Sequence, residues 1–271
     1  MTFQIVIPVF NQFDRTAKYL KTWYDTAKGI PWIVLIDNGS DTPLIDHPEI
    51  EKLVTQYDLE VVRNEKNIGV YPTFPQGMRL TEDPWVFYSH SDVEMIEYGW
   101  DEKLNRLLSL VGDNAGVCGM YGARGLGTKM IYKEPYDFRQ LQRWACCTVP
   151  SMAVAGGDVL TRDMEPVLVL DGFSLIVNRD MIEKTGGFDC DSFPVHHFYD
   201  NDVCLQAHFA GYKNYVLDID CIHHGGMTSC SEKWAEEWNT TDLSVHRKSH
   251  RVAYEKYRDR LPTCIEEIVF Y

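Results

Sequence analysis

The chain has 271 residues, of which 45% are apolar, so it contains enough apolar residues for a sizeable core. Its formal net charge of −14 argues against partners with a uniformly anionic surface, such as nucleic-acid backbones and acidic membranes. Its eight cysteines lack the spacing of common zinc sites and indicate reduced thiols in a reducing compartment. The first residues carry no basic segment, and no apolar run approaches the roughly 20 residues of a membrane span, so we expect a cytoplasmic protein.

Apolar segments alternate with helical periodicity along residues 1–120. The apolar segments are predicted as buried strands, and they begin at Phe3, Trp32, Leu59, Trp85 and Ala115. Apolar residues at helical spacing follow the first and fourth strands, while only a short helix fits between the third and fourth. This alternation predicts an α/β fold with a mostly parallel sheet flanked by helices.

Residues 121–165 interrupt the alternation and are predicted as a long excursion from the sheet, with some helix near residues 139–144. Long excursions in compact domains are usually functional or mobile. Regular structure then resumes with strands and with two helices that end at Gly186 and Gly211. The basic segment 246–260 is predicted as an amphipathic helix.

Candidate binding residues, most of them acids, amides or other polar residues, collect where the first four predicted strands end. They are Pro8, Phe10 and Asn11, then Asp37 and Asn38, then Asn67 and Gly69, and finally His90, Ser91, Asp92 and Glu94. Ligands of open parallel sheets bind beyond the carboxyl ends of the strands, so we expect these residues on one rim. Each of them taken alone is also explained as a turn residue or a helix cap.

Seven motifs follow one another along the chain, namely IVIPVFNQ, IDNGSDT, RNEKNIGV, SHSDVEM, LDGFSLIVNRDMIEKTGGFDCDSF, YDNDVCLQAHFAGYKNYVL and IHHGG. In order and spacing they resemble the motifs of family-2 glycosyltransferases with the GT-A fold. The resemblance implies a GT-A (Rossmann-like) glycosyltransferase domain at residues 1–226, with a nucleotide-binding part at about 1–120 and an acceptor-side part at about 121–226. Residues 227–271 would form a C-terminal helical extension.

The resemblance implies a divalent cation, Mn²⁺ or Mg²⁺, at the end of the fourth strand. Such a cation neutralises the diphosphate as the glycosidic bond of the donor breaks. The family usually has D-x-D or N-x-D there, whereas this chain has His90-Ser91-Asp92. Asp92 is then the metal carboxylate, Glu94 a second candidate ligand, and His223 the late histidine that reaches the metal or diphosphate.

The remaining motif residues are implied contacts of a nucleoside-diphosphate sugar. They are Pro8, Phe10, Asn11, Asp37, Asn38, Asn67, Gly69, His90 and Ser91, with Asp171 and Gly172 near the donor sugar or acceptor. For Asp37 the alternative is a turn-forming role in the DNGSD segment, and for Asp92 and Glu94 it is capping of the next segment.

The resemblance also implies a general base, which takes a proton from the acceptor hydroxyl. The family has an E-D pair just before a helix, where this chain has Tyr199-Asp200. Asp200 is therefore the implied base and Asp202 a supporting acid. Acids at helix N-termini are also common caps that stabilise by about 0.5–2 kcal/mol.

The motifs favour a metal-dependent inverting glycosyltransferase that moves a sugar from a nucleoside-diphosphate sugar to an acceptor hydroxyl. One alternative is a catalytically decayed GT-A protein that binds sugars or nucleotides, because His90 and Tyr199 stand where acids are expected. Another is a nucleotidyltransferase, although its glycine-rich basic loop is absent after the first strand. The acceptor stays open between a saccharide, a lipid-linked saccharide and, less favoured, a modified nucleic acid.

Overall fold

A computed structural model describes residues 2–57, 59–131, 134–145, 158–194, 197–225, 244–261 and 263–265. Side chains are described for these residues except 128–131, 134–145, 158, 244–246 and 263–264. Residues 146–157 of the predicted excursion lie outside the described residues, as do Gly226 and residues 227–243 of the predicted extension.

The elements alternate along the chain as predicted for its first part. The strands are β1 (Phe3–Val9), β2 (Ile33–Asp37), β3 (Leu59–Arg63), β4 (Trp85–Ser89), β5 (Val93–Met95), β6 (Ala115–Gly119), β7 (Tyr121–Ile131), β8 (Glu134–Ala145), β9 (Asp158–Val159), β10 (Met164–Val167), β11 (Val169–Leu170), β12 (Ser174–Asn178), β13 (Lys213–Leu217), β14 (Cys221–His223) and β15 (Thr263–Cys264). The helices are α1 (Phe13–Thr26), α2 (Pro48–Gln56), α3 (Thr73–Arg79), α4 (Trp100–Val111), α5 (Arg179–Thr185), α6 (Tyr199–Phe209) and α7 (Ser244–Tyr257).

The central sheet has eight strands in the order β10-β13-β6-β12-β4-β1-β2-β3. Strands β4, β1, β2 and β3 are parallel to their neighbours in this series, and β13 is parallel to β6, whereas β12 and β10 run antiparallel to their neighbours. Val6, Val34 and Val86 are 0% exposed because helices cover the sheet. The α/β fold with a mostly parallel sheet is therefore confirmed, and the continuous apolar strands are those of a sheet buried on both faces.

The excursion differs from its prediction. Residues near 139–144 do not form a helix but belong to β8, which pairs antiparallel with β7 in a second sheet. The pairing runs from Tyr121 opposite Ala145 to Ile131 opposite Glu134. The sequence pattern of this segment has little local periodicity, so its partner strand rather than its own propensity decides the structure.

A small two-stranded sheet completes the rim beyond β4. Strand β14 pairs antiparallel with β5, with His223 opposite Val93 and Cys221 opposite Met95. The indole of Trp23 in α1 donates a 2.9 Å hydrogen bond to the carbonyl of Val93, which ties β5 to the core. This pairing places His223 beside Val93, in the segment that follows β4.

Helix α7 packs on the body of the fold through Ala253 and Tyr257, which are 0% and 4% exposed. Cys118, Cys190 and Cys204 are free thiols. Among the described residues, no helix combines the length and apolar character that a bilayer crossing requires.

Candidate active site

Two histidines and an aspartate converge beyond the carboxyl end of β4. His90 Nδ1 lies 3.4 Å from His223 Nε2, and His223 Nε2 lies 3.4 Å from Asp92 Oδ1. One ligand atom from each residue falls within 4.8 Å of the other two. The His223 ring is stacked on Phe173 with 4.5 Å between centroids, which fixes the orientation of the imidazole. The structure thus brings together three of the predicted site residues, of which His90 and His223 are 133 positions apart along the chain.

The electrostatics of this cluster favour an ionised carboxylate at Asp92 and a neutral imidazole at His90. Burial by itself raises the pKa of Asp92, but the hydrogen bond with His223 and the charges of His90 and Arg15 lower it to about 2. Burial, followed by the charge of His223, lowers the pKa of His90. Carboxylates and imidazoles bind a cation in these ionised and neutral forms, respectively.

The donor set fits a divalent cation. Two imidazole nitrogens and one carboxylate oxygen leave further coordination positions for oxygen atoms of a ligand. Mg²⁺ prefers oxygen ligands alone, so this mixed set suits a first-row transition ion such as Mn²⁺ better.

Glu94 is not part of the converging group. Its carboxylate lies 2.7 Å from His224 Nε2, and the His224 ring is stacked on Tyr19 with 4.3 Å between centroids. The backbone N–H of His224 donates to the carbonyl of Asp92 over 3.1 Å. Glu94 and His224 therefore stabilise the segment that contains Asp92. Ser91, in the same segment, is half-buried.

Asp200 lies in the first turn of α6 and faces the loop before β12. Its Oδ2 accepts a 3.1 Å hydrogen bond from the Gly172 N–H, and its Oδ1 accepts from the backbone and side chain of Asn201. Burial and then the negative charge of Asp171 raise the pKa of Asp200 to about 7. A carboxyl group with this pKa can exchange a proton near neutral pH, as a general base must.

Tyr199, for which the sequence motifs predict no role, connects Asp200 to the metal-ligand candidates. Its hydroxyl lies 3.1 Å from His90 Nε2 and 3.4 Å from the carbonyl oxygen of Gly172. A Cβ at Gly172 would stand 2.3 Å from that hydroxyl, so only glycine leaves room for the tyrosine. The sequence signal for this contact is that Tyr199 replaces the acid of the family's E-D pair. A tyrosine at that position still offers a polar hydroxyl that can form a hydrogen bond.

Asp202 has a different environment from Asp200. Its side chain is 0% exposed and accepts hydrogen bonds from Lys256 at 2.7 Å, Tyr257 at 2.5 Å and Gln206 at 2.6 Å. Burial raises the pKa of Asp202, and the charge of Lys256 opposes that rise. All of these partners are internal, which favours a structural role over the supporting catalytic role predicted.

The predicted residues after β2 and β3 form a closed internal network. The carboxylate of Asp37 is 0% exposed and accepts from the side chain of Arg63 and from the N–H groups of Ser40 and Leu44. The Asn38 amide bonds Asn67 Oδ1 and the carbonyl of Gly69, both at 3.0 Å. Gly39 permits this closure, since a Cβ there would meet the Lys66 carbonyl carbon at 2.2 Å.

The residues at the end of β1 border this network. Pro8 is half-buried and Phe10 is buried, while Asn11 adopts a left-handed backbone with φ 53°. The Asn11 N–H donates to Ser40 Oγ at 2.9 Å, and its side-chain oxygen accepts from the Asp41 N–H at 3.1 Å. The first and second strand ends are thereby joined.

Arg15 in the first turn of α1 is a second residue for which the sequence motifs predict no role. Its Nη1 atom is buried and has no hydrogen-bond partner among the described residues. The guanidinium carbon lies 5.8 Å from the centre of the Tyr19 ring, on which His224 is stacked. A buried guanidinium nitrogen without an acceptor is costly, which marks a position where an anionic oxygen would be stabilised.

Comparison with known sequences gives limited matches. No protein-family model matches the chain. A curated Fuscovulum blasticum protein named ATP synthase subunits region ORF 6 is 24% identical over 182 residues, which are 66% of this chain and 61% of that protein. The chain thus spans less than two thirds of that relative's length.

Several solved structures share the architecture. GalNAc-T7 with UDP, GalNAc and Mn²⁺ has a TM-score of 0.62 at 13% identity, over 82% of this chain and 44% of its own. Mannosyltransferase PcManGT from Pyrobaculum calidifontis with GDP-Man and Mn²⁺ has a TM-score of 0.55 at 12% identity, over 96% of this chain and 70% of its own. S. aureus TarS 1–349 with UDP-GlcNAc has a TM-score of 0.54 at 15% identity, over 95% of this chain and 73% of its own. These likenesses show that the chain has the GT-A glycosyltransferase fold.

Proposed function

We propose that this protein is a metal-dependent inverting glycosyltransferase of the family-2 type, which moves a sugar from a nucleoside-diphosphate sugar to an acceptor hydroxyl. The observation that carries the proposal is the continuity of one polar site. The His90, Asp92 and His223 cluster reaches the Tyr199 hydroxyl, and Tyr199 precedes Asp200, whose pKa is raised to about 7. A cation site and a candidate base thus share one rim of a GT-A sheet.

The cation would be held by Asp92, His223 and His90, with Mn²⁺ favoured by the two imidazoles. When bound, it would supply Lewis-acid stabilisation of the diphosphate leaving group. GalNAc-T7 and PcManGT were both solved with Mn²⁺, which supports this assignment.

The chain's own residues would orient the reactants and move the proton. Asp200 accepts the acceptor hydroxyl's proton, and the Gly172 N–H and the Asn201 side chain hold its carboxylate in place. Tyr199 keeps His90 oriented through their 3.1 Å contact. Asp171 raises the basicity of Asp200 through its negative charge.

The donor would lie along the same rim. Pro8, Phe10 and Asn11 at the end of β1 would line the nucleotide side, while the network of Asp37, Asn38, Asn67 and Gly69 supports this loop from within the fold. Arg15 would bind a diphosphate oxygen, which would satisfy its buried Nη1.

The test combines binding with turnover. A panel of UDP- and GDP-sugars is screened by thermal shift with and without Mn²⁺, and saturation of about 100 Kd should stabilise by about 2.7 kcal/mol. Released nucleoside diphosphate and the anomeric configuration of the product, by NMR, are then measured with candidate saccharide acceptors. Asp92→Asn should lose the Mn²⁺-dependent shift, whereas Asp113→Asn, at an exposed turn residue, should keep it.

Each alternative has its own outcome. Binding with no hydrolysis or transfer for any donor would overturn the proposal in favour of a decayed binding module. Release of pyrophosphate from a nucleoside triphosphate and a sugar phosphate would indicate a nucleotidyltransferase instead. A product that retains the anomeric configuration would contradict the inverting mechanism and the role of Asp200 as base.

A further inference from the structure

A lysine from the C-terminal helix links two acids on either side of the loop that leads into α6. Lys256 Nζ donates to Asp189 Oδ2 at 2.6 Å and to Asp202 Oδ1 at 2.7 Å. Asp189 lies after α5 and holds its own loop by accepting from the Ser192 N–H at 3.2 Å. One ammonium group therefore joins α7, the loop of residues 189–194 and the first turn of α6.

The entry to α6 is conformationally strained. Phe198, which directly precedes the helix, has a left-handed backbone with φ 69° although it is not glycine. Such a conformation costs about 1–2 kcal/mol and persists where surrounding contacts hold it. Phe198 is 5% exposed and packs edge-on against His250 of α7, with 5.6 Å between ring centroids. Helix α7 thus supports the strained residue as well as the acid four positions later.

The partners of Asp202 keep this link in one geometry. Tyr257, the residue after Lys256, donates to the same oxygen, and Gln206 and Tyr71 donate to the other. A buried carboxylate with four donors, one of them a paired cation, is stable, whereas the same carboxylate without its cation is strongly unfavourable. Removal of the ammonium group should therefore disturb the first turn of α6 before any other element.

We propose that Lys256 is a positioning residue, which holds the first turn of α6 so that Tyr199 and Asp200 face His90 and Gly172. The residue does not reach the reacting atoms itself, and it acts through Asp189 and Asp202. This inference rests on the proposed function for its catalytic consequence, but its structural half is independent of any reaction.

The test compares three substitutions on α7. Lys256→Met removes the charge and keeps the chain length, Lys256→Arg restores a cation, and Lys248→Met removes an exposed lysine of the same helix. Backbone hydrogen exchange of residues 198–204, nucleoside-diphosphate affinity with Mn²⁺, and kcat are measured for each. Lys256→Met should speed exchange in this segment and lower kcat about 10- to 100-fold, as expected for a displaced reacting group.

Two further results separate positioning from general damage. Donor KM and nucleotide affinity should change less than kcat, because most of those contacts lie on other elements and α6 reaches the cation cluster only through the contact of Tyr199 with His90. Lys256→Arg should recover most of kcat. Lys248→Met should match the wild type in all measurements. If Lys256→Met does not fold, Tyr257→Phe removes one hydrogen bond to Asp202 and should show the same pattern with a smaller change.

The inference is overturned if exchange at residues 198–204 is unchanged in Lys256→Met, or if kcat and nucleotide affinity fall equally. A wild-type protein that turns over no donor would contradict the proposed function alone. In that case the exchange measurement still decides whether Lys256 holds α6.

Discussion

Two parts of the same rim carry similar residues but differ in how those residues are used. At the ends of β2 and β3, Asp37 accepts from Arg63, Ser40 and Leu44, and Asn38 is saturated by its neighbours. At the end of β4, Asp92 meets His90 and His223, and the three groups converge within 4.8 Å. The first part is closed by its own hydrogen bonds, whereas the second gathers ligand atoms around a common point.

The difference shows why polar residues at strand ends do not by themselves locate a site. A turn after a buried strand must satisfy its backbone groups, and Asp and Asn do so with their side chains. A ligand site instead needs side chains from distant segments, and His223 reaches Asp92 only because β14 pairs with β5. Convergence across the fold is the better guide to chemistry.

The largest expected effect lies beyond both parts, at Asp200. Asp200→Asn keeps the shape and the hydrogen bond from the Gly172 N–H but cannot accept a proton as a carboxylate does. We expect kcat to fall about 10²–10⁴-fold with donor binding unchanged, because a positioned base acts in the chemical step. Steady-state kinetics with calorimetry of nucleotide binding checks this.

The matched variant is Asp202→Asn, which should lower the melting temperature more than Asp200→Asn does, since Asp202 is held by Lys256 and Tyr257. Normal turnover by Asp200→Asn together with an inactive but stable Asp202→Asn would contradict the assignment and move the base to Asp202.

The comparison of the two strand ends is tested by the same substitution at each. Asp37→Asn should lower the free energy of unfolding by about 2–4 kcal/mol, because it leaves Arg63 without its carboxylate and weakens the bonds to Ser40 and Leu44. Asp92→Asn should change stability little and lower Mn²⁺ affinity at least about 10-fold. Urea unfolding and calorimetry measure the two quantities.

The opposite results would contradict this distinction between the two strand ends. If Asp37→Asn is as stable as the wild type and binds nucleoside diphosphate more weakly, Asp37 is a nucleotide contact, as the motif resemblance implied. If Asp92→Asn keeps its Mn²⁺ affinity, the cluster beyond β4 is not a cation site.

The central sheet could be predicted because β1, β2 and β4 are continuous apolar segments, and such segments are typical of buried strands. The prediction of a helix near residues 139–144 was wrong, because this segment has no local periodicity and its pairing with β7 decides its conformation as β8. In the candidate site, motif order predicted His90, Asp92, His223 and Asp200, and the structure brings the first three together. The contacts of Tyr199 with His90 and of Lys256 with Asp202 could not be predicted, because they join residues 109 and 54 positions apart along the chain.

A smaller effect concerns pH. The pKa of Asp200 is raised from an ordinary 3.8 to about 7, so folding favours its protonated form. That contribution is complete below pH 4 and is lost as pH rises from about 4 to 7. The wild type should therefore lose roughly 1–3 kcal/mol relative to Asp200→Asn across this window, once solvent screening is included.

Thermal melts of both proteins at pH 4, 5.5 and 7.5 measure this difference. A constant difference across the series would mean that Asp200 titrates alike in the folded and unfolded chains, and its role as a base near neutral pH would lose its support. Asp113→Asn serves as the control, because its carboxyl group is exposed at a turn.

The smallest expected effect distinguishes two arginines, one beside each part of the rim. Arg63 donates to Asp37 and to the carbonyls of Thr42 and Ser40, whereas Arg15 has a buried Nη1 without an acceptor among the described residues. Arg15→Met should weaken nucleoside-diphosphate binding about tenfold, the effect of one charge-assisted hydrogen bond, with stability unchanged or slightly improved. Arg63→Met should do the reverse, lowering stability while the folded protein keeps its nucleotide affinity. Calorimetry with the diphosphate and with the nucleoside alone locates the effect, since a contact to phosphate should vanish from the nucleoside titration. Equal losses of affinity for both ligands in Arg15→Met would instead mean that Arg15 only shapes the loop after β1.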